Sequence, residues 1–156
     1  MGHYAVQIAK AREAYVIGTA SGTNEQLVRE LGADEVVDYK KVRFEDAVQL
    51  PVDLVLDTVG HDTTARSLAV LRAGGTLVST REEQIPGIQA QARQQGIYAA
   101  GFLVRANGRD MRHLAELLTT GQLRSHISLT LPFDRLPDAI RQLDSGSTVG
   151  KVVVTI

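Results

Sequence analysis

Apolar positions along the chain recur in two periods, and their alternation lays out the elements. Asp53-Leu54-Val55-Leu56-Asp57 is a short apolar run closed by a carboxylate, the pattern of a buried parallel strand. His61-Asp62-Thr63-Thr64 then opens a helix whose Ala65, Leu68 and Ala69 fall at i, i+3 and i+4, one apolar face. Gly74-Gly75 breaks that helix, and Thr76-Leu77-Val78-Ser79 is a second buried strand. Strand, crossover helix and strand make a βαβ unit, the building block of parallel sheets with helices on both faces. Such sheets bind ligands beyond the carboxyl ends of their strands, which singles out Asp57-Thr58-Val59-Gly60 and Ser79-Thr80. The plainer role for Asp57 is to cap its own loop.

The same alternation runs through the rest of the chain. His3–Ala11 reads as an alanine-rich helix, and Tyr15–Ala20 as a strand leaving into the polar turn Ser21-Gly22-Thr23-Asn24. Thr23-Asn24-Glu25-Gln26 matches a capping box, with Leu27, Val28 and Leu31 on one helical face behind it and Gly32 as the stop. Glu35–Tyr39 is a brief strand, and Phe44–Leu50 a weak helix ended by Pro51. Beyond Ser79 a short helix is expected near Gly87–Gln94, then an apolar strand over Ile97–Val104. Arg109–Thr120 is the clearest helix, with Met111, Leu114, Ala115 and Leu118 as its apolar stripe and Gly121 as its stop. Ile127–Phe133 is extended, Leu136, Ala139, Ile140 and Leu143 mark a last helix, and Lys151–Ile156 a last strand.

Composition narrows the function classes. With 156 residues, 44% of them hydrophobic, one core is the expectation. The 17 basic and 18 acidic residues are spread along the chain without a basic block, which argues against a nucleic-acid partner. No apolar run approaches the ~18 residues of a membrane span. The first residues do not form a secretory signal, and Val6 stands where a myristoylation motif needs Ser or Thr. There is no cysteine, so disulfides and thiolate chemistry are excluded, and the four histidines are scattered, so no metal site is expected. A cytoplasmic protein is the default.

GHYAVQIAKAREAYVIGTASG, LGADEVVDY, DLVLDTVG, LRAGGTLVS and GKVVVTI, in that order, resemble the coenzyme-binding half of medium-chain dehydrogenases/reductases. The zinc-type alcohol dehydrogenase-like superfamily is meant, and the branch most resembled is the NADPH quinone oxidoreductases, zeta-crystallin included. The resemblance implies a Rossmann-type doubly wound parallel sheet over residues 1–121, with a short C-terminal α/β tail at 122–156. It implies hydride transfer from NADPH to a quinone, enone or similar carbonyl, with no catalytic residue assigned in this chain. One departure is large: the sequence starts where the last glycine of the family's phosphate-binding turn would stand, at Gly2. The first, central strand of the sheet and the catalytic domain have no counterpart. A fragment that is itself inactive is therefore expected, with the strands at 15–20 and 52–57 each left with an unpaired edge.

The exit of the second family strand discriminates dinucleotides, because NAD binders place an acid there and a 2′-phosphate is repelled by it. Here Thr19, Ser21, Thr23 and Asn24 stand at that exit with no acid before Glu25, and Lys40 or Lys41 can supply positive charge, which favours NADPH over NADH. By resemblance, Gly2 belongs to the phosphate turn and Tyr39 lies near the adenine or its phosphate. Thr58, Val59 and Gly60 pass the ribose and nicotinamide, and Phe102, Leu103 and Val104 flank the carboxamide. Plainer roles are a simple turn for Ser21 and Thr23, strand-end packing for Tyr39, and core positions for Phe102 and Val104. A homodimer through the edge strand 97–104 is expected. Two other readings stand: a class I S-adenosylmethionine-dependent methyltransferase, disfavoured by the missing acid, and a non-catalytic nucleotide-fold module that dimerises.

Overall fold

The computed structural model describes residues 1–146 and 148–156. Its elements, in chain order, are α1 (Gly2–Lys10), β1 (Ile17–Ala20), α2 (Glu25–Glu30), β2 (Glu35–Asp38), α3 (Phe44–Ala47) and β3 (Val52–Asp57). Then come α4 (Asp62–Arg66), β4 (Leu71–Ser79), α5 (Ile85–Gln94), β5 (Tyr98–Gly101), α6 (Gly108–Thr119), β6 (Ile127–Pro132), α7 (Leu136–Asp144) and β7 (Lys151–Thr155). The α/β alternation expected from the two periods is present. Two compact units result, one of residues 1–36 with 109–156, the other of residues 37–108.

In the second unit, β3, β4 and β5 form a parallel three-stranded sheet. Its rows are in register: Val55 beside Leu77 beside Ala99, and Asp57 beside Ser79 beside Gly101. Side chains alternate across a strand, so these two rows share one face. That face carries the core, in which Leu68, Leu71, Leu77, Ile85, Ile88, Ala92, Ile97 and Ala99 cluster with Val52 and Val55. Leu54 and Tyr98 belong to the opposite face and stay exposed, at 60% and 68%.

Several boundaries differ from the sequence expectation, each for a local reason. Gly74-Gly75 does not end a helix: the helix closes at Arg66 and a 3₁₀ turn over Ser67–Val70, and the glycines lie inside β4. There the pairing with β3 slips between Val52 and Leu54, and a Cβ on Gly75 would fall 2.8 Å from the Arg72 carbonyl oxygen, so the irregularity needs a residue without one. The helix expected over Phe44–Leu50 is one turn, and β5 is four residues rather than eight. The capping box does not form either. Gly22–Asn24 makes a 3₁₀ turn first, Thr23 turns to Ser21, and Gln26 donates to Glu30.

In the first unit, β1 pairs with β2, and β6 with β7 in parallel. Among the described residues β1 bonds only to β2 and β3 only to β4, so each keeps one open edge. The stripe expected on α6 is turned. Leu117 is its buried residue, while Met111 and Leu118 are 63% and 46% exposed. The reason lies after Gly121, where Leu123 is buried and its N–H returns to the Leu117 carbonyl at 3.0 Å, drawing that side of the helix inward. Gly32 and Gly121 sit at φ +106° and +73°, as helix stops do.

The ion pair that organises α3 and α4 was not foreseen. Glu45 accepts from Arg66 Nε at 2.8 Å and Nη2 at 2.7 Å, and Arg66 lies 4.8 Å from the Phe44 ring centroid. The Arg66 hydrogen bonds, first among several causes, hold the Glu45 carboxyl at about 2, below its ordinary 4.5. Asp34 is lowered by Lys10 and the Val16 N–H, and Asp138 by Arg135 and Arg141. A depressed carboxyl stabilises the folded state above its unfolded pKa and loses that contribution as pH falls through the folded one. Stability is therefore expected to decline from about pH 4.5 down to about 2. Glu45→Gln should flatten that decline in urea titrations across the range, and an unchanged profile would refute the role of the pair.

Candidate coenzyme site at the strand exits

The carboxyl ends of β3, β4 and β5 are laced together by Asp57. This residue is 3% exposed, and its carboxylate meets only donors. Oδ1 accepts the N–H groups of Val59 and Gly60, both at 2.9 Å. Oδ2 accepts the Thr64 hydroxyl at 2.5 Å and the Ser79 hydroxyl at 3.4 Å. Thr64 has a single hydroxyl proton, and the carboxylate is the stronger acceptor for it. The Gln84 side-chain Oε1 stands 2.8 Å from the same hydroxyl, a second acceptor for that one proton. The main chain completes the lacing: Thr80 N–H donates to the Asp57 carbonyl at 3.0 Å, Phe102 N–H to that of Ser79 at 2.8 Å, and Arg81 N–H to the Ser79 hydroxyl at 3.1 Å. Every acceptor position of Asp57 is used internally, so its capping role is the one the geometry supports. Thr64 and Gln84 are the partners that sequence reasoning missed; only a hydroxyl seven residues after a strand-exit acid, in the first turn of the next helix, hinted at them.

The loop that Asp57 holds carries Thr58, Val59 and Gly60. Val59 is 58% exposed, whereas Gly60 is buried at φ +83°, and a Cβ there would fall 2.5 Å from Arg81 Cγ. Gly60 thus lets the loop lie against the turn after β4. Beyond β5 the expectation is corrected. Phe102, Leu103 and Val104 are neither strand nor core, and are 54%, 65% and 79% exposed. The cause is the partner strand: β4 ends at Ser79, whose carbonyl takes the Phe102 N–H as the last bond of the ladder, and its chain then turns away from residues 103 and 104. Gly101 marks the limit, since a Cβ on it would stand 2.3 Å from Glu82 Cβ. Tyr39 follows β2 in a turn where Asp38 receives the Lys40 N–H at 3.1 Å, and its ring is 58% exposed rather than packed.

In the first unit, the exit of β1 gathers three polar side chains. Ser21 Oγ lies 3.1 Å from Thr23 Oγ1 and accepts the Asn24 amide N–H at 2.9 Å. Ser21 is buried and Thr19 exposed. The donor set from Ala20 to Asn24 is hydroxyls and a carboxamide with no carboxylate, a chemistry that suits a phosphate better than a ribose diol. Gly2 is exposed at the first turn of α1, with nothing within 4 Å of an added Cβ. Residues 2, 19, 21, 23 and 24 thus belong to one unit, and 39, 58–60 and 102–104 to the other.

A profile of the family described as zinc-binding dehydrogenase matches residues 31–154. The chain belongs to the zinc-binding dehydrogenase family. Among curated relatives, it is 28% identical over 179 aligned positions to the mitochondrial NAD(P)H oxidoreductase RTN4IP1 of Bos taurus, covering 100% of this chain and 45% of that protein. It is 31% identical to the chloroplastic NADPH-dependent alkenal/one oxidoreductase of Arabidopsis thaliana, over 99% of this chain and 37% of that one. Among solved structures, the quinone oxidoreductase from Coxiella burnetii superposes with a TM-score of 0.93 at 32% identity, over 99% of this chain and 49% of that chain. This zinc-binding dehydrogenase chain therefore spans about half the length of the relatives it matches. Its α/β fold with parallel sheets is the coenzyme-binding fold of the medium-chain dehydrogenases/reductases, and the methyltransferase alternative is set aside. Among the described residues no three His, Cys, Asp or Glu side chains gather as metal ligands, and no helix is long and apolar enough to cross a membrane.

Proposed function

We propose that this chain is the coenzyme-binding part of an NADPH-dependent oxidoreductase whose hydride goes to a quinone, enone or similar carbonyl. The cofactor would supply the hydride, and the chain's own residues bind and orient. The observation that carries the reading is the β1 exit, where Ser21, Thr23 and Asn24 cluster without an acid. A carboxylate there would accept the ribose hydroxyls of NADH and repel a 2′-phosphate; hydroxyl and amide groups can instead donate to that phosphate. Lys40 and Lys41 after β2 add positive charge, Lys41 within 3.5 Å of Asp38. The exposed Val59 and Phe102–Val104 offer apolar surface at the strand exits of the second unit, of the kind a nicotinamide ring packs on. The relatives named as NAD(P)H and NADPH-dependent oxidoreductases support the same direction. Titrating each cofactor into the chain tests it. NADPH is expected to bind at least about tenfold tighter than NADH, about 1.4 kcal/mol, and Ser21→Asp should remove that preference. Equal or tighter NADH binding would overturn the cofactor choice, and binding without turnover on any quinone or enone in a chain joined to a catalytic half would favour the non-catalytic module.

The reading includes a homodimer and a cytoplasmic location. β5 pairs on one side only, and Tyr98, Phe102, Leu103 and Val104 lie exposed along and beyond it. An open apolar edge invites pairing with a second copy. Light scattering over a concentration series is expected to show dimers that Leu103→Lys dissociates. A monomer at every concentration would refute the association. Imaging of the tagged protein in its own cells tests the compartment, and an organellar signal would refute it.

A further inference from the structure

The chain has two asparagines, Asn24 and Asn107, and the fold holds them differently. Asn24 is fixed in place. Its side-chain amide donates to Ser21 Oγ at 2.9 Å, and its N–H donates to the Ser21 carbonyl at 2.8 Å. The residue after it is Glu25, which opens α2. Asn107 is followed instead by Gly108. It ends the segment 102–107, which belongs to no helix or strand, and residues 101–110 are all exposed.

The chemistry open to an asparagine depends on the residue that follows it. The next main-chain nitrogen is tethered within reach of the side-chain amide carbon, a nucleophile at high effective concentration. A Cβ on that next residue crowds the approach, and a helix or sheet ladder that uses its N–H holds the nitrogen back. Neither obstacle is built in at 107–108. Gly108 has no Cβ, and nothing stands within 4 Å of where one would be. Gly108 is also the first residue of α6, and the first N–H groups of a helix have no acceptor within it.

We propose that Asn107-Gly108 is a site of spontaneous deamidation, which turns Asn107 into a mixture of aspartate and isoaspartate. The Gly108 nitrogen bonds to Asn107 Cγ and gives up its proton. The bond from Cγ to Nδ2 breaks, ammonia leaves, and a cyclic imide remains. Water then opens the imide, with no oxidant or reductant involved. Entry at Cγ restores the ordinary main chain with an aspartate side chain. Entry at the main-chain carbonyl carbon leaves the chain running through Cγ, with the carboxylate on Cα. Either product places a negative charge directly ahead of α6, where the helix dipole favours it, between Arg105 and Arg109 in the sequence. Isoaspartate also lengthens the main chain by an atom at that point.

The test is a timed incubation of the whole chain in warm, neutral buffer. Ion-exchange chromatography follows the more acidic form, and peptide mass mapping with enzymatic methyl labelling of isoaspartate locates it. Asn107 is expected to convert at least about tenfold faster than Asn24, with isoaspartate among its products. The rate should rise with pH, because the attacking nitrogen must lose its proton. Gly108→Ala fits the open space and should slow the conversion by at least about tenfold, since its Cβ restricts the approach. Gly87→Ala, at another glycine with nothing within 4 Å of an added Cβ, is the control and should leave the rate unchanged. An Asn107 that lasts as long as Asn24 would overturn the proposal. So would a rate indifferent to Gly108→Ala, or aspartate formed with no isoaspartate at any time, which would mean direct hydrolysis without the imide.

Discussion

Asp57→Ala is expected to destabilise the chain by about 3–5 kcal/mol, a large part of the ~5–15 kcal/mol that a domain usually has. The substitution leaves the Val59 and Gly60 N–H groups and the hydroxyls of Thr64 and Ser79 without their common acceptor. Thr64 and Ser79 are 1% and 0% exposed, so water cannot replace the carboxylate without opening the strand exits. Asp57→Asn keeps one acceptor oxygen for the two N–H groups and offers its amide to the two hydroxyls, which can accept. It should cost only about 1–2 kcal/mol. Urea unfolding of both variants is the measurement. If Asp57 served a ligand rather than the loop, Asp57→Ala would unfold at nearly the wild-type midpoint and lose only cofactor binding.

The second large effect is expected at Gln7. This is the buried residue of α1, 7% exposed, and its side chain behaves like a strand's peptide group. Oε1 accepts the Arg124 N–H at 2.8 Å, while Nε2 donates to the Arg124 carbonyl at 3.0 Å and to the His3 carbonyl at 2.7 Å. Gln7→Leu matches the apolar character of the surrounding helix but leaves both main-chain groups of Arg124 unpaired. At about 1–3 kcal/mol for each of these two orphaned groups, a loss of about 2–6 kcal/mol is expected. Faster hydrogen exchange at the Arg124 amide should accompany it. Gln26→Leu, at an exposed position of α2 whose amide meets only Glu30, serves as the control and should stay within about 0.5 kcal/mol of wild type. A neutral Gln7→Leu would mean that the bracket between α1 and residue 124 contributes nothing to stability.

What the sequence determined by itself is the order and kind of its elements. The runs at 53–57 and 76–79, the helical spacing of Leu136, Ala139, Ile140 and Leu143, and the glycine stops at 32 and 121 are local patterns, and each survives in the structure. The family motifs are local too, which is why the resemblance was legible before any fold was drawn. Tertiary structure decided where those elements end and what their polar residues do. β5 stops at Gly101 because β4 stops at Ser79, a fact about the neighbour rather than about the apolar run 97–104. α6 turns Leu117 inward because the chain returns through Leu123. Gln7 finds its partner 117 residues away, and Asp57 finds Ser79 at a separation of 22. Periodicity records which side of an element is apolar. It carries no record of the distant backbone group that will face a given amide or carboxylate, because that pairing exists only once the chain has closed.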